Sequence, residues 1–181
     1  MIEDAIPEEV VRVFAAFDRE PPLLRWAPSS ADIRDRRLAA VNERWQAMPR
    51  TQDLPPAAAV DANALGACAA DTMIVEPVQG GEDFVYRHYG TAIAAASGAD
   101  LTGRLVSGVG RRAPLGGGRL VLAFYRAAAA RRQPLLTFQM LPQQHGMVVW
   151  GRLILPLLSP DGFVSSHLVG NAATWIDCCA A

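Results

Sequence analysis

The chain has no lysine: all 17 of its basic residues are arginine. That excludes both Schiff-base chemistry through a lysine amine and the Walker lysine of a P-loop. Cysteine is scarce, with Cys68 alone and Cys178 and Cys179 adjacent, and no C-x-x-C occurs. This gives neither the paired framework of a small secreted domain nor the ligand spacing of structural zinc. Long apolar runs are missing too. The run Leu153 to Leu158 contains Pro156 and, like every other apolar run here, is far too short to cross a bilayer. The opening MIEDAIPEEV is acidic and lacks the basic and apolar regions of a signal peptide. The expected location is the cytoplasm, with no membrane partner.

Acids are absent from one long stretch. Residues 101–152 carry 8 arginines and no Asp or Glu, whereas residues 1–100 carry 9 arginines against 16 acids. The whole chain is nevertheless near neutral, at −1. Either the two halves neutralise one another across the fold, which is the expectation, or the basic half meets an anionic partner. No G-x-S-x-G, H-E-x-x-H or Walker motif occurs.

What is present suits one domain: 181 residues, of which 51% are hydrophobic, can bury a real core. Val10, Val13, Phe14 and Phe17 make one helical stripe, ended by Pro21 and Pro22. A second helix, capped by Ser29 or Ser30, carries Leu38, Val41, Trp45 and Met48 on one face and stops at Pro49. After the connector LPPAAAVD (54–61) the pattern turns to strands. TMIVEPV (72–78) and DFVYRH (83–88) are joined by the turn Gln79 to Glu82 and form a hairpin. A small-residue helix runs to Ala96, and Gly98 can end it. Asp100 or Thr102 suits the cap of a further turn. RLVLAFYRAAAARR (119–132) is the clearest helix, with Leu120, Val121, Phe124, Tyr125 and Ala128 on one side. Strands at 134–141, 147–158 and 163–172 follow, separated by hairpin-length breaks. The expected class is α+β, a five-stranded antiparallel sheet with short helices on one face.

Two strands, short helices, one longer helix and three strands is the order of the PAS fold. Five motifs narrow the resemblance: Trp45 in its helix, Leu54-Pro55, Asp83 to Thr91 (dF-x-Y-R-x-x-G-T), Gly98 to Arg104 (G-x-D-L-T-G-R), and Arg152 to Leu157 (R-L-x-L-P-L). The chain resembles a mainly alphaproteobacterial family of stand-alone PAS domains over about residues 33–172. The resemblance implies a sensory or regulatory module with no catalytic residues. Its cavity would lie between the concave sheet face and the small helices, with a flanking helix or a second copy on the outer face. Residues 1–50 then read as an N-terminal helical cap, 51–60 as a connector, 61–175 as the PAS-like domain and 176–181 as a tail.

Strand alternation places Phe84, Tyr86 and His88 on one face and Val85, Arg87 and Tyr89 on the other. The mixture of apolar and polar groups expected of a ligand pocket is supplied by Tyr86, His88, Tyr125, Trp150 and Arg152. Trp150 and Arg152 share one face of their strand, and Leu153 and Leu155 the other. Alternation does not say which face lines the cavity. Arg111 and Arg112, in the glycine-rich segment GVGRRAPLGGG, are the candidate anion contacts. Leu38, Val41, Trp45 and Met48 are the candidate dimer or cap interface.

His145 falls in a predicted turn, and His88 and His167 on strands that could neighbour one another. With Asp83 or Asp177 these two would make a metal group, but no local ligand spacing supports one. The long helix offers no haem ligand, and TGRLVSG lacks the reactive cysteine of a flavin photosensor. No cofactor and no metal are expected. The expected function is a PAS-type sensor that binds a small molecule or a protein partner and signals by conformational change or dimerisation. No effector signature fits the remaining residues, so output is expected through a partner. Two alternatives stand beside it: an acid–base enzyme using His88 or His167, and a nucleic-acid binder using the arginines of 101–152, the less favoured partner.

Overall fold

The structure, a computed structural model, describes residues 7–15, 23–50, 52–60, 64–109, 117–143 and 146–177. Arg111, Arg112, His145, Cys178 and Cys179 lie outside them. Helix α1 (Glu8–Ala15) precedes strand β1 (Leu23–Trp26) and helix α2 (Arg36–Gln46). The hairpin β2 (Thr72–Val78) and β3 (Asp83–Tyr89) follows. Helices α3 (Thr91–Ser97) and α4 (Gly117–Arg131) come next, then β4 (Leu135–Gln143), β5 (Gly146–Leu158) and β6 (Val164–Asp177).

The described strands form one antiparallel sheet in the order β1-β4-β5-β6-β2-β3. The fold is α+β and PAS-like: the first hairpin closes against the last strand, and the helical crossover from β3 to β4 covers one face. All five expected strands are present. The sixth, β1, was not foreseen, because LLRW is only four residues long and follows two prolines. It pairs with β4 and covers what would be an open edge. The opposite edge, β3, is covered by the G-x-D-L-T-G-R segment. The Tyr86 amide donates to the Arg104 carbonyl at 3.1 Å, and the Gly103 amide to the Tyr86 carbonyl at 2.8 Å.

Two local expectations are corrected. Helix α2 is capped by Asp35, whose carboxylate accepts from the Arg37 amide at 2.8 Å, not by Ser29 or Ser30. The Ser29 amide and hydroxyl both donate to Asp32, closing a separate turn upstream. Asp100 likewise accepts from the Thr102 amide and hydroxyl without starting a helix. Gly98, at φ 84°, does end α3 in the left-handed conformation that glycine adopts without strain.

The sheet separates two cores. On the outer face α2 packs Leu38, Val41, Trp45 and Met48 on Leu136, Leu153, Leu155, Leu157 and Leu168. Leu38 fits because Gly151 and Gly170 lie beneath it: a β-carbon on either would come within 3.1 Å and 3.0 Å of its methyls. The Trp45 indole N–H donates to the Pro156 carbonyl, and the Leu158 amide to Pro55, which ties the Leu-Pro connector to β5. The four residues expected at a dimer or cap interface are thus engaged within the chain. On the inner face α3 and α4 bury Phe84, Tyr86, Ile93, Leu120, Phe124 and Tyr125 against Leu135, Ile154 and Val169.

Candidate functional site

Pairing along β2 and β3 is regular except at one point. Ile74 faces His88, but the next residue, Val75, faces Tyr86, so Arg87 is an extra residue in a β-bulge. The slip reverses the facing of everything beyond it. Tyr89 therefore joins Tyr86 on the inner face, their rings 5.2 Å apart and nearly perpendicular. His88 turns to the opposite face, where its Nε2–H donates to the Ala69 carbonyl at 2.9 Å. The expectation that put Tyr86 and His88 together fails for this reason. Gly90, next along, packs against the Ala69 and Ala70 carbonyls where no β-carbon fits. The conserved-looking spacing of the Y-R-x-x-G-T stretch is thus accounted for by a bulge, a clasp and a close approach of backbones.

The inner face carries a cleft of about 340 Å³ between the sheet and the ends of α3 and α4. Met73, Tyr86, Tyr89, Val121, Leu141, Val148, Trp150 and Trp175 supply its apolar wall, and Gln139, Arg152 and Asn171 its polar side chains. Of the five residues expected there, Tyr86, Trp150 and Arg152 line it. The face shared by Trp150 and Arg152 is the inner one. Tyr125 lies wholly buried beneath, its hydroxyl close to that of Tyr86 but short of hydrogen-bonding geometry. Burial pushes the Tyr125 phenol up to about 12, an effect that Arg152 opposes. Tyr86 is raised well above the ordinary tyrosine range by the same burial, and Tyr89 less so. All three phenols stay neutral at physiological pH.

Among the described residues Arg152 is the only charged one that lines the cleft. Its Nε is buried without a hydrogen-bond partner, as are the Asn171 Oδ1 and the Thr137 hydroxyl. Thr137, Arg152 and Asn171 are register partners across β4, β5 and β6, so these groups form one polar row on the inner face, of which Arg152 and Asn171 line the cleft. Thr137, Gln139, Asn171 and Tyr89 were missed from the sequence. Thr137 and Gln139 alternate with apolar Leu135 and Leu141, a signal that becomes readable once that face is known to be the inner one.

His167 is fully buried on the inner face, stacked on Tyr125 and near Phe84, with neither ring nitrogen hydrogen-bonded. Burial lowers its pKa to about 3, so it is neutral. His88 and His167 thus lie on opposite faces and make no pair. Among the described residues no group of three or more His, Cys, Asp and Glu could hold a metal. A second, shallower cleft of about 510 Å³, lined by Pro77, Phe84, Arg126 and Phe163, lacks convergent polar side chains. Arg126 there donates to the Gly81 and Glu82 carbonyls. Neither histidine lines either cleft.

No family model matches the chain, and comparison with curated proteins finds no match. Among solved structures the chain is similar to one described as an RNA-binding Light-Oxygen-Voltage receptor, at 17% identity and a TM-score of 0.45. The similarity covers 88% of this chain and 39% of that one, so the chain spans well under half of the receptor's length. Among the described residues no helix is long and apolar enough to cross a membrane.

Proposed function

We propose that this chain is a cytoplasmic PAS-type sensory or regulatory module whose inner cleft holds a small molecule. The ordered motifs support its place in the mainly alphaproteobacterial PAS family that it resembles. The observation that carries the reading is the cleft itself, walled by aromatic side chains and floored by Arg152 and Asn171, each with a buried polar atom that has no partner among the described residues. Native proteins leave few such groups unsatisfied.

The same strands supply a route for the signal. Arg152 lies between Gly151 and Leu153, and Asn171 between Gly170 and Ala172, all four of which face α2 or its neighbours. Arg37 of α2 also donates to the Ala173 carbonyl at 3.1 Å. A shift of β5 and β6 on ligand binding would therefore change the seat of Leu38 and the hold on α2, with output to a protein partner or a second copy.

The two alternatives lose support. An acid–base histidine needs access to a substrate, and neither His88 nor His167 lines either of the two described clefts. Of the six described arginines of 101–152, four are engaged elsewhere: Arg126 holds backbone carbonyls, Arg131 covers Trp26, Arg132 pairs with Asp53 and Arg152 lies in the cleft, which leaves Arg104 and Arg119 exposed. Native mass spectrometry of freshly purified protein, compared with its denatured mass, tests the reading. A retained small molecule is expected. A bare chain in both measurements counts against a resident ligand.

A further inference from the structure

The polar row does more than mark a cleft, because its charge and its hydrogen-bonding groups are unbalanced. Among the described residues Arg152 makes no salt bridge and no Asp or Glu lines the cleft. Its field falls on three tyrosines, Tyr86, Tyr89 and Tyr125, rather than on a counter-ion. The carboxylate of Asp100, which also acts on Tyr89, stands in an exposed turn where it is already engaged by Thr102. A cation drawn partly out of water without a partner is unfavourable, and an anion that pairs with it restores the balance. Beside it, one strand away, the unpartnered Asn171 oxygen becomes an N–H donor towards the same point when the amide is turned over, and the Thr137 hydroxyl lies at the same level on the strand to the other side. Both residues are at least nine-tenths buried, at 4% and 1% exposed.

We propose that the inner cleft recognises a small organic monocarboxylate, its carboxylate held by Arg152 with Asn171, and its aromatic body laid against Tyr86, Tyr89 and Trp150. The inference rests on the small-molecule reading above and specifies its chemistry. A planar guanidinium matches a carboxylate in a two-point contact, and one arginine balances one negative charge. A phosphate dianion would leave a charge over. The volume, 340 Å³, equals that of about eleven water molecules in the liquid, which suits a body of about a dozen non-hydrogen atoms. That is the size of a single-ring aromatic acid. The aromatic wall favours a flat body over a branched aliphatic one, since stacked and edge-on ring contacts are available on two sides.

Titration calorimetry on the full chain decides it, with benzoate, phenylacetate and 3-phenylpropionate each measured beside its uncharged amide. At least one acid is expected to bind about tenfold or more tightly than its amide. Arg152→Gln is expected to remove that difference by weakening the acid at least tenfold more than the amide, and Asn171→Leu to weaken the acid about tenfold. Circular dichroism melts of both variants confirm that they fold, and either one alone suffices for the test. Acids and amides binding alike, or Arg152→Gln and Asn171→Leu both binding the acid as the parent does, would overturn anion recognition while leaving a small-molecule cleft in place. Silence from both sets overturns it too, and the native mass then decides whether the cleft has any resident ligand.

Discussion

The outer face of the sheet offers α2 a floor of leucines, Leu136, Leu153, Leu155, Leu157 and Leu168, broken only by the glycines that admit Leu38. The inner face offers its helices Thr137, Gln139, Arg152, His167 and Asn171 as well as apolar side chains. Every buried side-chain polar atom found without a partner among the described residues belongs to this inner face: those of Tyr125, Thr137, Arg152, His167 and Asn171. Two surfaces of the same three strands, one residue apart in sequence, therefore do different work. The outer one is packed for stability. The inner one keeps polar groups whose burial costs free energy, which is the usual mark of a surface kept for a ligand.

The comparison is broken most severely by Leu38→Ala. It removes the side chain seated over Gly151 and Gly170, and is expected to cost about 2–5 kcal/mol in urea unfolding. If α2 is coupled to the cleft, affinity for the ligand should change as well; unchanged affinity would show that the outer face serves stability alone. A cost below about 1 kcal/mol would show α2 to be loosely held.

The next largest effect comes from pH. His167 is neutral when folded, with its pKa lowered from 6.5 to about 3 by burial. The unfolded chain takes up a proton below its ordinary pKa while the folded chain does not, so stability falls as pH drops from about 6.5 towards 3. Between pH 6.5 and 5 the loss is about 2 kcal/mol. Denaturant midpoints measured over that range should decline in the parent and stay flat in His167→Leu. The depressed carboxylates Asp35 and Asp53 add their own losses only below their ordinary range, near pH 4.

Arg152→Met sharpens the contrast in the other direction. Because the guanidinium lacks a counter-ion, replacing it with a flexible apolar side chain should leave the empty protein equally stable or more stable by about 1 kcal/mol. An outer-face truncation cannot do that. Marked destabilisation would mean that Arg152 is a structural partner after all. The smallest effect is Asp53→Asn, which breaks an exposed pair with Arg132 at 2.6 Å and should cost under about 1 kcal/mol.

Much of this contrast was readable from the sequence. Alternation and turn residues located five strands and the long helix, and the 3–4 spacing of Leu38, Val41, Trp45 and Met48 identified the outer helix. Trp150 and Arg152 were correctly put on one face. What alternation does not carry is long-range pairing. The bulge at Arg87 has no glycine or proline to announce it, yet it exchanged His88 for Tyr89 in the cleft. Thr137 and Asn171 gained meaning only when β4, β5 and β6 were aligned, since each alone is an ordinary polar residue in a strand. β1 escaped notice because four residues give alternation too little length to show.

The most direct test of the account is amide hydrogen exchange across α2, on protein as purified and again after any resident molecule is removed by unfolding and refolding, with the aromatic acid that binds best then added back. Inner cleft and outer helix share β5 and β6, so exchange within Arg36–Gln46 should change when the cleft is emptied and revert on adding the acid. If only α3, α4 and the cleft strands respond while α2 exchanges as before, the two faces are not coupled, and the proposed route from the cleft to the outer helix is wrong.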